Sequence, residues 1–352
     1  MRSLTDAEAR VISVLLAAAP GQEKDRLRQL ELPRSTYHAA RRRAYEEGWL
    51  RDRYIPDPGR FGFGRVTFVL ARPFADRAAE LVEKWDRAPG NVLAWGSAQL
   101  TLGVFYHPSE AASAKLLRSV APPLVSWSFT LDARADAPSI PVYFDFEGLW
   151  VHLGGFAGAL GYPHGLGGTP VVTGNGGAAT SGLPRREWAA QELVRRPFVA
   201  QEQGRAGHLV GPFGLPWSQQ KLVRTGAVRH RVLLDPSRTP PYRGRSIEQV
   251  TFITGELIEE VRPEALFASL TRECRVFPFL YVAEERKLLI GALGRGAGGA
   301  SSEAAPEEPR RSVMATLSAA LRGIELVQDL VTRVRVVADH RYDRLFPATP
   351  AA

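Results

Sequence analysis

With one cysteine, Cys274, in 352 residues, the chain has no partner for an internal disulfide and no basis for a cysteine-rich zinc site. That scarcity fits a reducing compartment. No apolar run reaches the ~18 residues needed to span a bilayer. The N-terminus lacks the charged, apolar and small order of a secretory leader. A cytoplasmic chain with no membrane partner is therefore expected. The histidines (His38, His107, His152, His164, His208, His230 and His340) are scattered, none paired at ligand spacing, so no metal site is expected. There is no Gly-x-Ser-x-Gly elbow, and Gly165-Leu166-Gly167-Gly168 has no following Gly-Lys-Ser/Thr. Asp145 and Glu147 are close carboxylates, but alternation along a strand explains them. No catalytic residue and no cofactor follow from these features. Lysine is scarce too. Lys24, Lys84, Lys115, Lys221 and Lys287 are the whole set, and the rest of the 45 basic residues are Arg.

What is present is positive charge and a plan that occurs twice. The net charge is +8 and the pI about 9.9, which favours a polyanionic partner. The hydrophobic fraction of 45% and charged fraction of 23% are those of ordinary globular domains. Leu4-Thr5-Asp6-Ala7-Glu8, Leu32-Pro33-Arg34-Ser35, Gly48-Trp49-Leu50-Arg51 and Val66-Thr67-Phe68-Val69 come first. Later, in the same order and at similar spacing, come Leu183-Pro184-Arg185-Arg186-Glu187, Leu215-Pro216-Trp217-Ser218, Gly226-Ala227-Val228-Arg229 and Val250-Thr251-Phe252-Ile253. The repeated unit is a whole domain pair.

Residues 1–60 read as a winged helix. Thr5-x-x-Glu8 has capping-box form, and Val11, Ile12, Leu15 and Leu16 make one apolar helical face. Pro20-Gly21 breaks that helix, and Gln22 to Leu30 is a second. Ser35 or Thr36 can cap a third, which runs to Glu47 and ends at Gly48. A strand, Trp49 to Ile55, follows. On the third helix Tyr37, Ala40 and Ala44 point inward at i, i+3 and i+7. A recognition helix sets its N-terminal residues on base edges and its flanks on phosphates. Arg34, Ser35, Thr36, His38 and Arg41 are thus the candidate base or groove contacts, and Arg42, Arg43, Arg51 and Arg53 the backbone contacts. Residues 61–147 follow in the order β-α-β-β-α-β, a ferredoxin-like unit.

Residues 148–182 read as a Gly-rich linker. Residues 183–246 repeat the winged helix in degenerate form, with Pro216 to Thr225 as its reading helix. There Gln219 and Gln220 are candidate base contacts, and Lys221, Arg224, Arg229 and Arg231 candidate phosphate contacts. Arg185 to Arg245 holds 12 basic and 4 acidic residues, against 12 and 9 in residues 1–60. Residues 247–346 are a second ferredoxin-like unit, with a helix at Val313 to Leu321 and a closing strand at Val331 to Val337. A disorder-prone insert lies near 294–309. The fold class is α+β, as two tandem copies.

Leu32-Pro33-x-Ser35-Thr36, Glu47-Gly48-Trp49-Leu50-Arg51 and Gly96-x-x-x-Leu100 carry a resemblance to the Lrp/AsnC family of regulators over roughly residues 4–131. The resemblance implies a DNA-binding transcriptional regulator rather than an enzyme. It implies double-stranded DNA as partner, dimerisation through the sheets, and a small-molecule effector at the ferredoxin-like domains. Two fused copies would act as a pseudo-dimer, and whole chains would form a homodimer or larger. The fused plan also resembles siroheme decarboxylases, which reuse this fold. In that alternative His230, flanked by Arg229 and Arg231, would meet an acidic tetrapyrrole. An architectural DNA-binding protein is a third reading, distinguished by sequence-blind binding.

Overall fold

The computed structural model describes residues 2–17, 32–72, 77–97, 99–120, 125–132, 143–144, 190, 194, 217–225, 227–235, 238–241, 247–272, 278–295, 307–333, 335–338 and 342–346. The chain is α+β, with antiparallel sheets carrying helices, and divides into two compact units that interleave in sequence. One comprises Met1–Leu50, Ser139–Val172 and Leu233–Thr332; the other comprises Arg51–Pro138, Thr173–Val232 and Arg333–Ala352.

The first unit opens with α1 (Asp6–Ala17) and α2 (Arg34–Glu46). The capping box forms: the Thr5 N–H donates to Glu8 Oε2 at 2.9 Å and the Glu8 N–H to Thr5 Oγ1 at 3.3 Å. Val11, Ile12 and Leu15 are buried on α1, as are Tyr37, Ala40 and Ala44 on α2. Helix α2 starts two or three residues earlier than a cap at Ser35 or Thr36 would set it. Pro33 is its N-cap, with φ −54° and ψ 139°, and no side chain caps it. Its carbonyl accepts from the Tyr37 N–H at 3.0 Å, which puts Ser35 inside the first turn. Gly48, at φ +70°, ends the helix as expected. The expected second helix, Gln22 to Leu30, lies outside the described residues.

This unit's sheet has the order β11-β8-β10-β9-β6. Its strands are β6 (Tyr143–Phe144), β8 (Ile247–Leu257), β9 (Pro278–Glu284), β10 (Lys287–Arg295) and β11 (Leu321–Leu330). Helices α6 (Pro263–Arg272) and α7 (Glu307–Ala320) accompany it. The closing strand is β11, ten residues before the expected Val331 to Val337. Of the Gly294–Pro309 tract, Gly294 ends inside β10 and residues 307–309 begin α7; residues 296–306 lie outside the described residues.

The second unit's sheet has the order β12-β3-β4-β2-β5. It comprises β2 (Arg65–Ala71), β3 (Asn91–Gly96), β4 (Thr101–His107), β5 (Val125–Asp132) and β12 (Arg335–Ala338), with helices α3 (Ala78–Asp86) and α4 (Glu110–Val120). Val69, Ala71, Leu81, Val82, Trp85, Ala94, Phe105 and Leu116 form its core. The Trp85 and Phe105 rings meet edge to face, 6.2 Å apart at 84°. Gly103 makes room for them: a Cβ there would lie 2.7 Å from either ring.

Both sheets place the strands of their β-α-β-β-α-β run identically, and each borrows its last edge strand from elsewhere in the chain. Strand β12 comes from beyond the other unit's sheet and pairs with β3, Val336 opposite Trp95. Strand β6 follows β5 in sequence yet pairs with β9, Tyr143 opposite Tyr281. After β12, the short helical turn Tyr342–Leu345 docks on the second unit. Tyr342, Leu345 and Phe346 are buried there, Phe346 stacks edge-on to Phe61, and Arg344 binds Asp86 Oδ1 at 2.8 Å.

Candidate anion-binding ribbon

Helix α2 and the strand after it carry nine of the residues singled out by sequence. Arg34, Ser35, His38, Arg42 and Arg43 are exposed, and Thr36, Arg41 and Arg51 are half-buried. Several of these side chains are engaged within the first unit. Glu8, only 4% exposed, accepts from Arg2 and from Arg43 at 3.3 Å. Burial alone would raise the Glu8 pKa, but the bonds from Arg2, Thr5 and Arg43 outweigh it and hold the carboxyl below its ordinary value. Arg43 is therefore a clamp between α1 and α2. Arg42 pairs with Glu46 at 3.8 Å, and Arg41 lies over the Tyr45 ring and donates to the Tyr37 hydroxyl. Arg34 Nε lies 3.4 Å from His38 Nε2.

The second reading helix is α5 (Trp217–Arg224). Gln219, a candidate base contact, is 1% exposed and does not present its amide to a ligand. Its place in the expected reading helix brought it to notice, but with Leu222 it belongs to the buried face of a two-turn helix. Lys221 is exposed. For Gln220, Arg224, Arg229, Arg231 and Arg53 the structure describes the backbone positions alone.

The positions of Arg53, Arg229 and Arg231 come together on a ribbon that sequence reasoning missed. The expected strand Trp49 to Ile55 forms as β1 (Leu50–Pro56), and a winged helix would pair it with the next strand, β2. It pairs instead with β7 (Val228–Leu234) in a two-stranded sheet. The reason lies in the turn after β1 and its contact with Thr225. Pro58–Phe61 forms a 3-10 turn, Arg60 pairs with Asp57 and donates to the Thr225 carbonyl, and β2 is led away into the five-stranded sheet. Two backbone bonds bracket the register. The Asp57 N–H donates to the Ala227 carbonyl at 2.8 Å, and the Asp235 N–H to the Trp49 carbonyl at 2.9 Å. An antiparallel ladder between them sets Arg53 opposite Arg231, Tyr54 opposite His230 and Arg51 opposite Leu233.

Opposite residues share a face, so the ribbon has two unlike sides. Leu50, Tyr54, Val228, Val232 and Leu234 are all buried and mark one side. The other carries the positions of Arg51, Arg53, Arg229 and Arg231. His230 falls at Tyr54's parity, on the buried side, so it does not share a face with the arginines that flank it in sequence. The expected Arg229-His230-Arg231 group is thereby divided. Within β1 and β7 no acidic position falls on the arginine side; Asp57 and Asp235 share its parity just beyond the strand ends.

A buried titratable group lies elsewhere in the second unit. His107 ends β4, is 4% exposed, and its Nε2 has no hydrogen-bond partner among the described residues. Burial pushes its pKa down to about 4, so it is neutral at pH 7. In sequence it is one scattered histidine among seven, and nothing local marked it. Among the described residues no group of three or more His, Cys, Asp or Glu could hold a metal ion. No described helix is long and apolar enough to cross a membrane. Asp145 and Glu147 lie outside the described residues.

No family model matches the chain, and no curated protein matches it. Among solved structures, a siroheme decarboxylase, NirDL, in co-complex with an iron-uroporphyrin III analogue is similar over 96% of both chains, at 10% identity and a TM-score of 0.45. A second structure of the siroheme decarboxylase NirDL is similar over 97% of this chain and 96% of its own, again at 10% identity and a TM-score of 0.45. An anthrone oxidase-like protein is similar over 84% of this chain and 100% of its own, at 9% identity and a TM-score of 0.34. These three likenesses are to proteins named as enzymes or enzyme-like. They stand against the expectation that the chain is not an enzyme, and that expectation is not carried further. TM-scores of this size carry no argument for a particular activity.

Proposed function

We propose that the chain binds an acidic, multiply carboxylated tetrapyrrole on the arginine side of the β1–β7 ribbon and decarboxylates it. The activity is the one named for the decarboxylase above, but the reading rests on the ribbon. Like charges directly opposite on a sheet are destabilising, and Arg53 faces Arg231 with Arg51 and Arg229 on the same side. A face kept in that state is stabilised by an anion. Guanidinium forks match carboxylates in paired bonds. Facing positions stand ~5 Å apart and alternate ones ~7 Å, so the four span a distance comparable to a macrocycle bearing carboxylates on its rim.

The arginines would hold the carboxylates that do not react. Loss of CO2 from an acetate arm leaves its electron pair on the methylene carbon, and a proton taken up there makes a methyl group. The charges that stay paired fix the arm that reacts.

The test is visible absorbance during titration with iron-uroporphyrin III, with CO2 release measured on the same samples. A saturable band shift, weakened tenfold or more by Arg53→Ala with Arg231→Ala, is expected. A missing shift, or one indifferent to both substitutions, would sink the reading.

A second reading, a DNA-binding regulator, draws support from the exposed Arg34, Ser35 and His38 at the N-terminal end of α2. The buried Gln219 and the Glu8-bound Arg43 weigh against it. Duplex binding that falls steeply with salt, with no response to the tetrapyrrole, would favour it.

A further inference from the structure

Strand β11 ends its sheet, and among the described residues no strand pairs with its outer side. It is ten residues long and largely exposed, and Leu326, at 41% exposure, is one of two exposed large hydrophobic residues among the described residues. An open edge of this length is a template for another chain, and proteins commonly block such edges. A bulge near one end leaves most of this one available. Arg322 lies opposite Glu256 and Glu325 opposite Thr254, so Gly323 and Ile324 together span the one position of Gly255. With the bulge taken as a single step, Arg322 and Asp329 lie three steps to either side of Leu326, and Leu321 and Leu330 four.

The geometry points to β11 as the seam at which two copies of this chain join, antiparallel and about a two-fold axis through Leu326. A two-fold contact must be complementary to itself. Here Arg322 of each copy meets Asp329 of the other, Leu321 meets Leu330, and Leu326 meets its own copy. Glu325 faces Val327, so no like charges stand opposite one another. Backbone bonds across the seam supply affinity, and the Arg–Asp pairs fix the register. The second unit's corresponding edge, β5 (Val125–Asp132), carries one charge, Asp132, and has no such self-match. The joined sheets would run through ten strands.

Sedimentation velocity of the full chain across the micromolar range tests this. Concentration-dependent dimers are expected. Arg322→Glu should weaken association about tenfold by setting like charges together. Arg322→Glu with Asp329→Arg should restore it, because the pair is rebuilt in reverse. Leu326→Lys should abolish it. A chain that stays monomeric throughout overturns the proposal. So does a dimer that ignores both Leu326→Lys and Arg322→Glu, which would lie on another surface.

Discussion

Acid should loosen the second unit through His107 before its carboxylates account for the loss. The imidazole is buried at the end of β4, across from Arg65 in the ladder, with Glu110 held by Arg65 at 3.4 Å. Its folded pKa is about 4, against 6.5 when free. The unfolded chain therefore takes up a proton first as the pH falls. The stability tied to neutral His107 is complete above about pH 6.5 and drains away toward pH 4. A difference of this size corresponds to ~3 kcal/mol in all, at a slope approaching 1.4 kcal/mol per pH unit. That is a large part of the stability of an ordinary domain. His107→Gln keeps a polar side chain of similar reach and removes the titration. Urea unfolding, followed by tryptophan fluorescence at several pH values between neutral and about 4.5, gives stability against pH for each protein. The substitution lowers the starting value, but only the difference in slope carries the argument. The wild-type curve should fall more steeply, by close to one proton, between pH 6.5 and 4.5. Parallel curves would refute the reasoning.

Gly90→Ala should cost several kcal/mol, since its φ is +72° and a Cβ would lie 2.2 Å from the Tyr106 carbonyl oxygen; thermal unfolding with little loss would contradict the close approach. Ending the chain at Thr332 removes β12 and the Tyr342–Leu345 turn. Amide exchange along Asn91–Gly96 should then speed up by a large factor while Leu288–Leu293 keeps its protection, and unchanged exchange in β3 would show that β12 contributes nothing there.

The elements that their own residues dictate were legible in the sequence. The Thr5–Glu8 box, the inward Tyr37, Ala40 and Ala44, the Gly48 stop and the β-α-β-β-α-β order all follow from spacing within a short stretch. What was not legible is pairing. Alternation says that Arg229 and Arg231 share a face, but not that β1 lies beside them, because the turn that diverts β2 works through Arg60, Asp57 and the Thr225 carbonyl. Gln219 has the amphipathic spacing of a reading residue and of a core residue alike, and only burial separates the two. Strand β11 escaped notice because its Arg322-Gly323-Ile324-Glu325 stretch carries the bulge and breaks the period of two. Strand β6 is two residues long, too short for any pattern.

The borrowed edge strands also order events during synthesis. Strand β3 leaves the ribosome early, whereas its neighbour β12 is made roughly 240 residues later. At about 5–20 residues per second, β3 waits on the order of 10–50 s beside an unfilled place. Through that interval the nascent chain presents an adhesive margin, and a second nascent chain on the same message presents another. A cell making this protein therefore gains from whatever shields that margin, and crowded translation is the condition in which misjoined pairs would accumulate.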